Sequence, residues 1–495
     1  MLLEMAASGF AERVAVQNGA ERLSYGELFA AAGAARRRIE ASGAAHVGVL
    51  DVNSLAVPVG LFAAAWAGRP FVPLNYRLAA AEIEALLARI APAYVVAEPE
   101  HVQRLAGLPG AQVVPRGEFL SAAASAEAPA ADWPADPDAI ALLLFTSGTT
   151  GAPKAAVLRN RHLVSYVVGS VEFGAASEEE AALVSVPPYH VAAMAAILSS
   201  VYAGRRMVQL PSFSAEVWIA TARAERVTHA FVVPTMLARI ADALEAAGGG
   251  IPSLRALSYG GGKMPLPVIE RAMRLLPGVD FTNAYGLTET SSTIALLGPE
   301  DHRAAAASSD PAVRRRLASV GRPLPGVEVE IRDEGGKPAA AGVPGEICVR
   351  GEQVSGEYQG RASSVGPDGW FPTRDGGFLD EGGYLFVSGR IDDVIVRGGE
   401  NLSPGEIEDV LHEHPAVADC AVVGVPDEQW GESVAAVIVP RAGARVDAGE
   451  VRDFVRGRLR SSRVPERIEL RDALPYSETG KLLRRKVRAE LVGEA

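Results

Sequence analysis

Thr146-Ser147-Gly148-Thr149-Thr150-Gly151-Ala152-Pro153-Lys154 follows an apolar run, Ala139 to Phe145, that reads as a buried strand. The residue types suit a phosphate. Two glycines let the backbone approach an anion, four hydroxyls can donate to its oxygens, and Lys154 adds a mobile point charge. The stretch departs from the common nucleotide-binding signature, which ends in Gly-Lys-Ser/Thr and opens a helix. Here Pro153 blocks helix entry, and Ala155 to Leu158 resumes an extended apolar run before Asn160 can cap a helix, so a loop between two strands is expected. Taken alone, the same residues also make an ordinary Ser/Thr/Gly turn with no ligand.

Further groups able to do chemistry recur along the chain. His190, in Pro187-Pro188-Tyr189-His190, sits at the C-terminal edge of an expected strand, where wound sheets bind ligands. Gly260-Gly261-Gly262-Lys263 follows another strand, and bare backbone there would accept a flat ring. Asn283-Ala284-Tyr285-Gly286-Leu287-Thr288-Glu289 joins an aromatic ring, a hydroxyl and a carboxylate, and Glu289 could hold Mg2+ against phosphate oxygens. Thr373-Arg374-Asp375 places an acid after a turn, where such acids commonly accept from ribose hydroxyls. Gly389-Arg390-Ile391-Asp392-Asp393 and the Gly398-Gly399-Glu400 turn come next, and Lys481 lies in a late glycine-bearing loop. Of the 48 basic residues only five are lysines, Lys154, Lys263, Lys337, Lys481 and Lys486. In that background a lysine marks a place where a compact ammonium serves better than a planar fork.

The elements that position these residues alternate. A capped helix over 23–42, a strand at Val47 to Leu50, a helix over 54–67, an extended segment at Phe71 to Leu74, a helix at Ala80 to Ile90 and a strand at Tyr94 to Val96 describe a wound sheet. Ser121 to Asp138, rich in Ala, Pro and Asp, reads as linker. A second wound sheet is expected from strands at Leu183 to Val186, Arg206 to Leu210, His229 to Val233 and Ala256 to Ser258, with helices over 191–202, 215–225, 235–246 and 265–275. From about residue 320 short alternating strands imply a small antiparallel barrel-like unit. Beyond Asp392 a compact α+β mix follows.

A chain of 495 residues exceeds one core, so a large and a smaller domain are expected, 1–391 (barrel-like part about 320–390) and 392–495. A formal net charge of -12 argues against nucleic-acid binding. Cys348 and Cys420 offer neither a disulfide framework nor metal spacing, which suits a cytoplasmic protein. The start lacks a signal peptide's pattern, and Val47 to Gly68, though apolar, is interrupted by Asp51, Asn53 and Ser54, so no transmembrane segment is expected.

In this order the motifs resemble the adenylate-forming superfamily of acyl-CoA synthetases, adenylation domains and luciferases, over essentially the whole chain. The resemblance implies an α/β fold: a large N-terminal domain of two doubly wound sheets plus the barrel, and a smaller mobile C-terminal lid. It also implies a two-step ligase in which ATP and a carboxylic acid give an acyl-adenylate and pyrophosphate, and CoA then takes the acyl group. Thr146 to Gly151 and Lys154 would hold the β- and γ-phosphates. Gly260 to Gly262 and Asn283 to Gly286 would bracket the adenine, Thr288 would meet the α-phosphate, and Glu289 would bind Mg2+. Asp375, assisted by Arg390, would accept from the ribose; Lys481 would be the catalytic cation and Asp392 the hinge. Gly398, Gly399 and Glu400 would line the thiol's path. The resemblance also allows a homodimer.

The chain departs from that pattern in three places: Arg374 stands where glycine is usual, Ala155 follows Lys154 where glycine is common, and Tyr358 to Trp370 lacks the usual threonine-containing approach. Amino-acid-activating relatives carry an aspartate in the segment matching 187–194, and none is present here. His190 matches the aromatic gate of CoA-forming relatives, and Leu287 stands where acetate-specific ones carry tryptophan. A medium- or long-chain fatty acid, or an aryl or alicyclic acid, is therefore expected. Lys263, if it points into the acyl pocket, would pair with a second carboxylate or a hydroxyl; otherwise it is a solvated loop lysine. Two alternatives stand beside a CoA ligase: a stand-alone ligase loading an acyl carrier protein, and a catalytically inactive nucleotide-binding protein.

Overall fold

The computed structural model describes residues 1–124, 136–146, 153–477 and 482–493. Two large sheets share one hydrophobic core. The first has seven strands in the order Glu357–Tyr358, Lys154–Arg159, Ile140–Thr146, Phe71–Pro73, His46–Leu50, Ala93–Ala97, Ala111–Pro115. From Ile140–Thr146 onward the pairs are parallel, whereas Ile140–Thr146 and Lys154–Arg159 are antiparallel with Thr146 opposite Lys154. The expected phosphate loop therefore joins adjacent strands.

The second sheet has nine strands: Arg322–Pro323, Ser292–Leu297, Asp280–Leu287, Ala256–Gly260, His229–Val232, Ala181–Val184, Arg206–Gln209, Val14–Asn18 and Glu21–Ser24. Its centre is parallel and its edges antiparallel. Val14–Asn18 pairs with Arg206–Gln209, so the start of the chain completes the second sheet. Asn53 ties the two sheets together: its buried side-chain amide donates to the carbonyls of Val186 and Leu210, both at 3.0 Å.

Local chemistry sets the helices. Tyr25–Ser42 starts at a complete capping box, with Ser24 Oγ accepting from the Glu27 amide at 3.2 Å and the Glu27 carboxylate from the Ser24 amide at 2.7 Å. It ends on Gly43 in the left-handed conformation that stops helices. Ala56–Trp66 has every residue except Ala65 buried, which explains its membrane-like composition. No helix among the described residues is long and apolar enough to cross a membrane. The expected linker begins later than Ser121, because Arg116–Ala124 is a helix that packs Phe119 and Ala123, one turn apart, toward Tyr25–Ser42. Residues 125–135 of that linker lie outside the described residues.

The barrel-like unit is an antiparallel sheet in the order Val327–Arg332, Gly345–Gly351, Phe371–Leu379, Leu385–Arg390. A single turn, Ile391–Asp393, then carries the chain into a five-stranded sheet with helices Pro404–His412, Ala448–Arg456 and Arg484–Val492. Strand Val417–Asp427 shows why this last part is two-sided. Cys420 and Val422 face one core with Ile407, Leu411 and Val451, while Ala421, Val423 and Val425 face another with Val487 and Leu491. Both cysteines are free and buried.

Candidate active site

The hairpin of the first sheet brings Lys154 to its mouth, where Nζ lies 5.6 Å from the centre of the Tyr358 ring. Strand Glu357–Tyr358 pairs alongside, with Tyr358 opposite Ala156. The Tyr358 hydroxyl donates to the Glu289 carboxylate, and burial together with that carboxylate pushes the phenol above its ordinary pKa. Ser147, Gly148, Thr149, Thr150 and Gly151 lie outside the described residues; Thr146 closes the hairpin with its hydroxyl 3.4 Å from the Lys154 carbonyl.

Glu289 is held by its backbone. Strand Asp280–Leu287 gives way to a single turn, Thr288–Thr290, then to Ser291 and Ser292 at φ +57° and +111°. Gln353, buried, donates to the carbonyls of Thr290 at 3.0 Å and Thr293 at 2.7 Å, and Ser291 Oγ donates back to the Gln353 carbonyl at 2.9 Å. The amides of Ser355 and Gly356 donate to the Glu289 carbonyl. Thr288 stands at the start of this turn, beside the carboxylate.

The other end of the site is built by a bulge. Cys348 faces Pro372 and Glu346 faces Gly376, which leaves Thr373, Arg374 and Asp375 to bow out opposite Ile347. Thr373 Oγ1 donates to the Ile347 carbonyl at 2.7 Å and accepts from the Asp375 amide at 3.1 Å. Asp375 is thereby turned inward, 8% exposed, directly across the ladder from Arg390. Its carboxylate accepts from the Tyr285 hydroxyl at 2.7 Å and from Arg390 Nη1 at 3.0 Å. Burial, then Asp375, pushes the Tyr285 phenol well above its ordinary value, so it remains a donor. Burial opposes the Arg390 charge, but Asp375 and Glu289 beside it hold the guanidinium above the usual arginine value. Arg390 thus links the two ends electrostatically.

Close backbone approach is real at the expected ring platform. A Cβ on Gly260 would stand 2.2 Å from the Ala284 carbonyl oxygen, and one on Gly286 1.7 Å from that of Ser292. Gly260→Ala should therefore cost about 1–3 kcal/mol or more in a urea titration. Gly117→Ala, whose added methyl meets nothing within 4 Å, should change little. Gly261, at φ +79°, and Gly262 are exposed beside this platform. Asn283 donates through its buried amide to the Ser319 carbonyl at 2.9 Å, while Ala284 pairs with Gly260 across the ladder.

His190 occupies the N-cap position of helix Val191–Ala203, its ring 4.6 Å from that of Tyr189, with Nε2 buried and without a hydrogen-bond partner among the described residues. Burial, aided by Arg77, lowers its pKa to about 4, so the ring is neutral at physiological pH. Leu287 packs against the core of the antiparallel sheet. For Lys263, read either as a partner of a second substrate group or as a solvated loop lysine, the structure shows a third arrangement. Its ammonium donates to Asp409 Oδ2 at 2.6 Å and to the Gly405 carbonyl at 3.0 Å, both on helix Pro404–His412, because carboxylate and helix backbone offer it partners there. Arg374 pairs with Asp392 at 2.7 Å. Its backbone adopts φ +63°, a conformation costing a side-chain-bearing residue about 1–2 kcal/mol. Gly398 and Gly399, both at positive φ, turn the hairpin Ile395–Arg397/Glu400–Leu402, and Glu400 pairs with Arg463 at 2.8 Å. Lys481 lies outside the described residues, between Tyr476 and Leu482, which bridge across it.

Sequence reasoning missed Tyr358 and Gln353. Neither belongs to a motif by spacing; the one hint was that Tyr358 opens a stretch that departs from the expected pattern. The donor set also bears on the metal. Among the described residues, the one trio of His, Cys, Asp or Glu able to share an ion is Glu98, Glu100 and His101, which does not include Glu289. A lone carboxylate with hard oxygens fits Mg2+, which takes one or two carboxylates and completes its shell from substrate and water.

The AMP-binding enzyme family matches residues 3–359, and the AMP-binding enzyme C-terminal domain matches 406–481. Feruloyl-CoA synthase of Amycolatopsis sp is 35% identical over 483 residues, covering 96% of this chain and 95% of that protein. Indoleacetate–CoA ligase of Aromatoleum aromaticum is 33% identical over 485 residues, covering 94% and 92%. Among solved structures, o-succinylbenzoate CoA synthetase from Bacillus subtilis, in complex with its acyl-adenylate intermediate, superposes with a TM-score of 0.85 at 29% identity, covering 98% of this chain and 97% of that one.

Proposed function

The chain belongs to the AMP-binding enzyme family, and from that premise we propose that it joins an aryl carboxylic acid to coenzyme A in two steps at one site. It is an AMP-forming acid–thiol ligase using ATP, Mg2+ and CoA. The observation that carries the site reading is a pair of polar clusters, Lys154 beside Tyr358 with Tyr358 bonded to Glu289, and Asp375 between Tyr285 and Arg390, whose guanidinium the Glu289 charge also favours. A mobile cation at one end suits the β- and γ-phosphates, and a buried carboxylate at the other suits a ribose diol. Gly261 and Gly262, exposed beside the buried Gly260, leave bare backbone for the adenine ring. Mg2+ held by Glu289 would neutralise phosphate charge.

In the first step a carboxylate oxygen of the acid attacks the α-phosphorus and pyrophosphate leaves. Thr288 donates to the α-phosphate, and Lys481 supplies positive charge where the two anions meet. In the second step the thiol sulfur attacks the acyl carbon and AMP leaves. We assign the body to 1–391 and the lid to 392–495, with Asp392 in the joint and the Gly398-Gly399-Glu400 turn lining the thiol's path. Neutral His190 serves as the gate between nucleotide and acyl group, because an uncharged ring can lie against an apolar acid. The three relatives named above carry the names of acids with an aromatic ring, and a fatty acid–acyl-carrier-protein ligase is similar at 32% identity, so the weight of these names favours an aryl acid. Two buried free cysteines favour a cytoplasmic setting.

The test is pyrophosphate release from Mg·ATP across fatty, aryl and alicyclic acids, each with and without CoA. CoA-dependent turnover confined to aryl acids is the expected result. Fatty-acid turnover would overturn the substrate class. Release that stops after one equivalent, unaltered by CoA, would point to a carrier protein as acceptor.

A further inference from the structure

Two features that the ligase reading leaves unexplained, a lysine in an arginine-rich chain and an arginine where glycine is usual, reach toward the same part of the molecule. Lys263 donates to Asp409 at 2.6 Å and to the Gly405 carbonyl at 3.0 Å, across 146 residues of sequence. Arg374 pairs with Asp392 at 2.7 Å. Asp409 lies on helix Pro404–His412 of the C-terminal part, and Asp392 in the turn that joins that part to the body. The covalent joint between the antiparallel sheet and the C-terminal sheet is only the turn Ile391–Asp393 and Val394. The orientation of one part on the other must therefore come from non-covalent contacts. Beside these two ion pairs stand two neutral-donor bonds, Ser403 to the Ser388 carbonyl at 2.9 Å and Asn401 to Glu334 at 3.3 Å.

The docking is close. A methyl on Gly405 would lie 2.7 Å from the Ser388 carbonyl oxygen and 3.1 Å from Lys263 Nζ. Each cation is also a direct sequence neighbour of a proposed nucleotide contact: Lys263 follows Gly262, and Arg374 precedes Asp375. Arg374 holds a left-handed backbone that glycine would adopt freely, so the side chain is kept against a conformational cost. All four charged groups of the two pairs are at least one-third exposed, so water can compete for them and the docking can be released.

We infer that Lys263 and Arg374 are positioning residues that dock the C-terminal part on the body in this orientation, and so set the balance between the two half-reactions. The kinetic half of this inference rests on the two-step reading above; the docking itself does not. The test pairs Lys263→Gln with Arg374→Gly, the latter removing the charge while relaxing the backbone. Nitroxides at Val217→Cys and Leu470→Cys, both about half exposed, report the distance between the two parts, since the native cysteines are buried. In the double variant the distance distribution should broaden or shift without ligand. The rate of acyl-adenylate formation relative to CoA attack on supplied acyl-adenylate should change by about 5-fold or more. An unchanged distribution, or two rates falling in parallel, overturns the inference. The distance measurement needs no substrate, so a chain that proves inactive on every acid would sink the ligase reading while leaving the docking tested.

Discussion

Lys481→Ala is expected to lower pyrophosphate release from Mg·ATP and acid by about 10²–10³-fold or more, while CoA attack on supplied acyl-adenylate stays near that of the unsubstituted chain. The asymmetry follows from where charge develops. When a carboxylate attacks a phosphate, two anions are forced together, and a preorganised ammonium stabilises that transition state more than either separate ground state. Thiol attack on an acyl-adenylate brings a neutral carbonyl to a thiol and does not need the same cation. The base of the segment carrying Lys481 is well anchored. Tyr476 donates to Asp419 at 2.8 Å and bridges Leu482, and Arg484 pairs with the buried Glu408 at 2.5 Å. Alanine at 481 should therefore leave the fold intact, which circular dichroism and the melting temperature can check. Loss of both half-reactions in a folded variant would refute this role.

How much of this was legible in the sequence depends on the range of the interaction involved. The Ser24 capping box, the strand into Phe145, the break at Pro153 and the strand that resumes at Ala155 are local, set by neighbours three or four residues apart. Asp375 and Arg390 are named from motifs that resemble the family's, and a short antiparallel ladder sets the two directly across from each other. Tyr358 could not. Its partner Glu289 is 69 residues away, and only the pairing of Glu357–Tyr358 onto Lys154–Arg159 brings the phenol to the carboxylate. The motif places Asn283 at the adenine; what its spacing does not encode is the bond from its buried amide to the Ser319 carbonyl, 36 residues on. Lys263 was flagged by composition, and its destination came from a helix whose placement no pattern within the Gly260–Lys263 run encodes. Ser121 to Ala124 read as linker because alanines are equally at home in a helix and in a low-complexity stretch; they form the last turn of the helix Arg116–Ala124, whose Phe119 and Ala123 are buried in the core.

Asp375→Asn separates the nucleotide role of this carboxylate from its structural one. Asparagine is nearly isosteric and can still accept from the Tyr285 hydroxyl, but it loses the charge that faces Arg390 at 3.0 Å. The Arg390 side chain is 26% exposed and also donates to the Thr373 carbonyl at 3.0 Å, so it keeps water and one protein partner when the anion is gone. The stability loss should therefore fall below the ~3–5 kcal/mol of a fully buried broken pair. Bonds from ribose hydroxyls to a carboxylate are charge-assisted, each contributing about 1.5–3 kcal/mol. The KM for ATP should accordingly rise about 10–100-fold, with the KM for the acid little changed. Repeating the titration with 2′-deoxy- and 3′-deoxy-ATP closes a cycle: removing a hydroxyl should weaken binding to the unsubstituted chain and add little in Asp375→Asn. If the asparagine variant binds ATP normally but melts early, Asp375 is a strut for Arg390 and Tyr285. The ribose must then be sought by another acceptor. The bulge that turns this side chain inward makes that outcome the less economical one, because the Thr373 hydroxyl, anchored on the Ile347 carbonyl, and the left-handed backbone of Arg374 together aim a single carboxylate into the site.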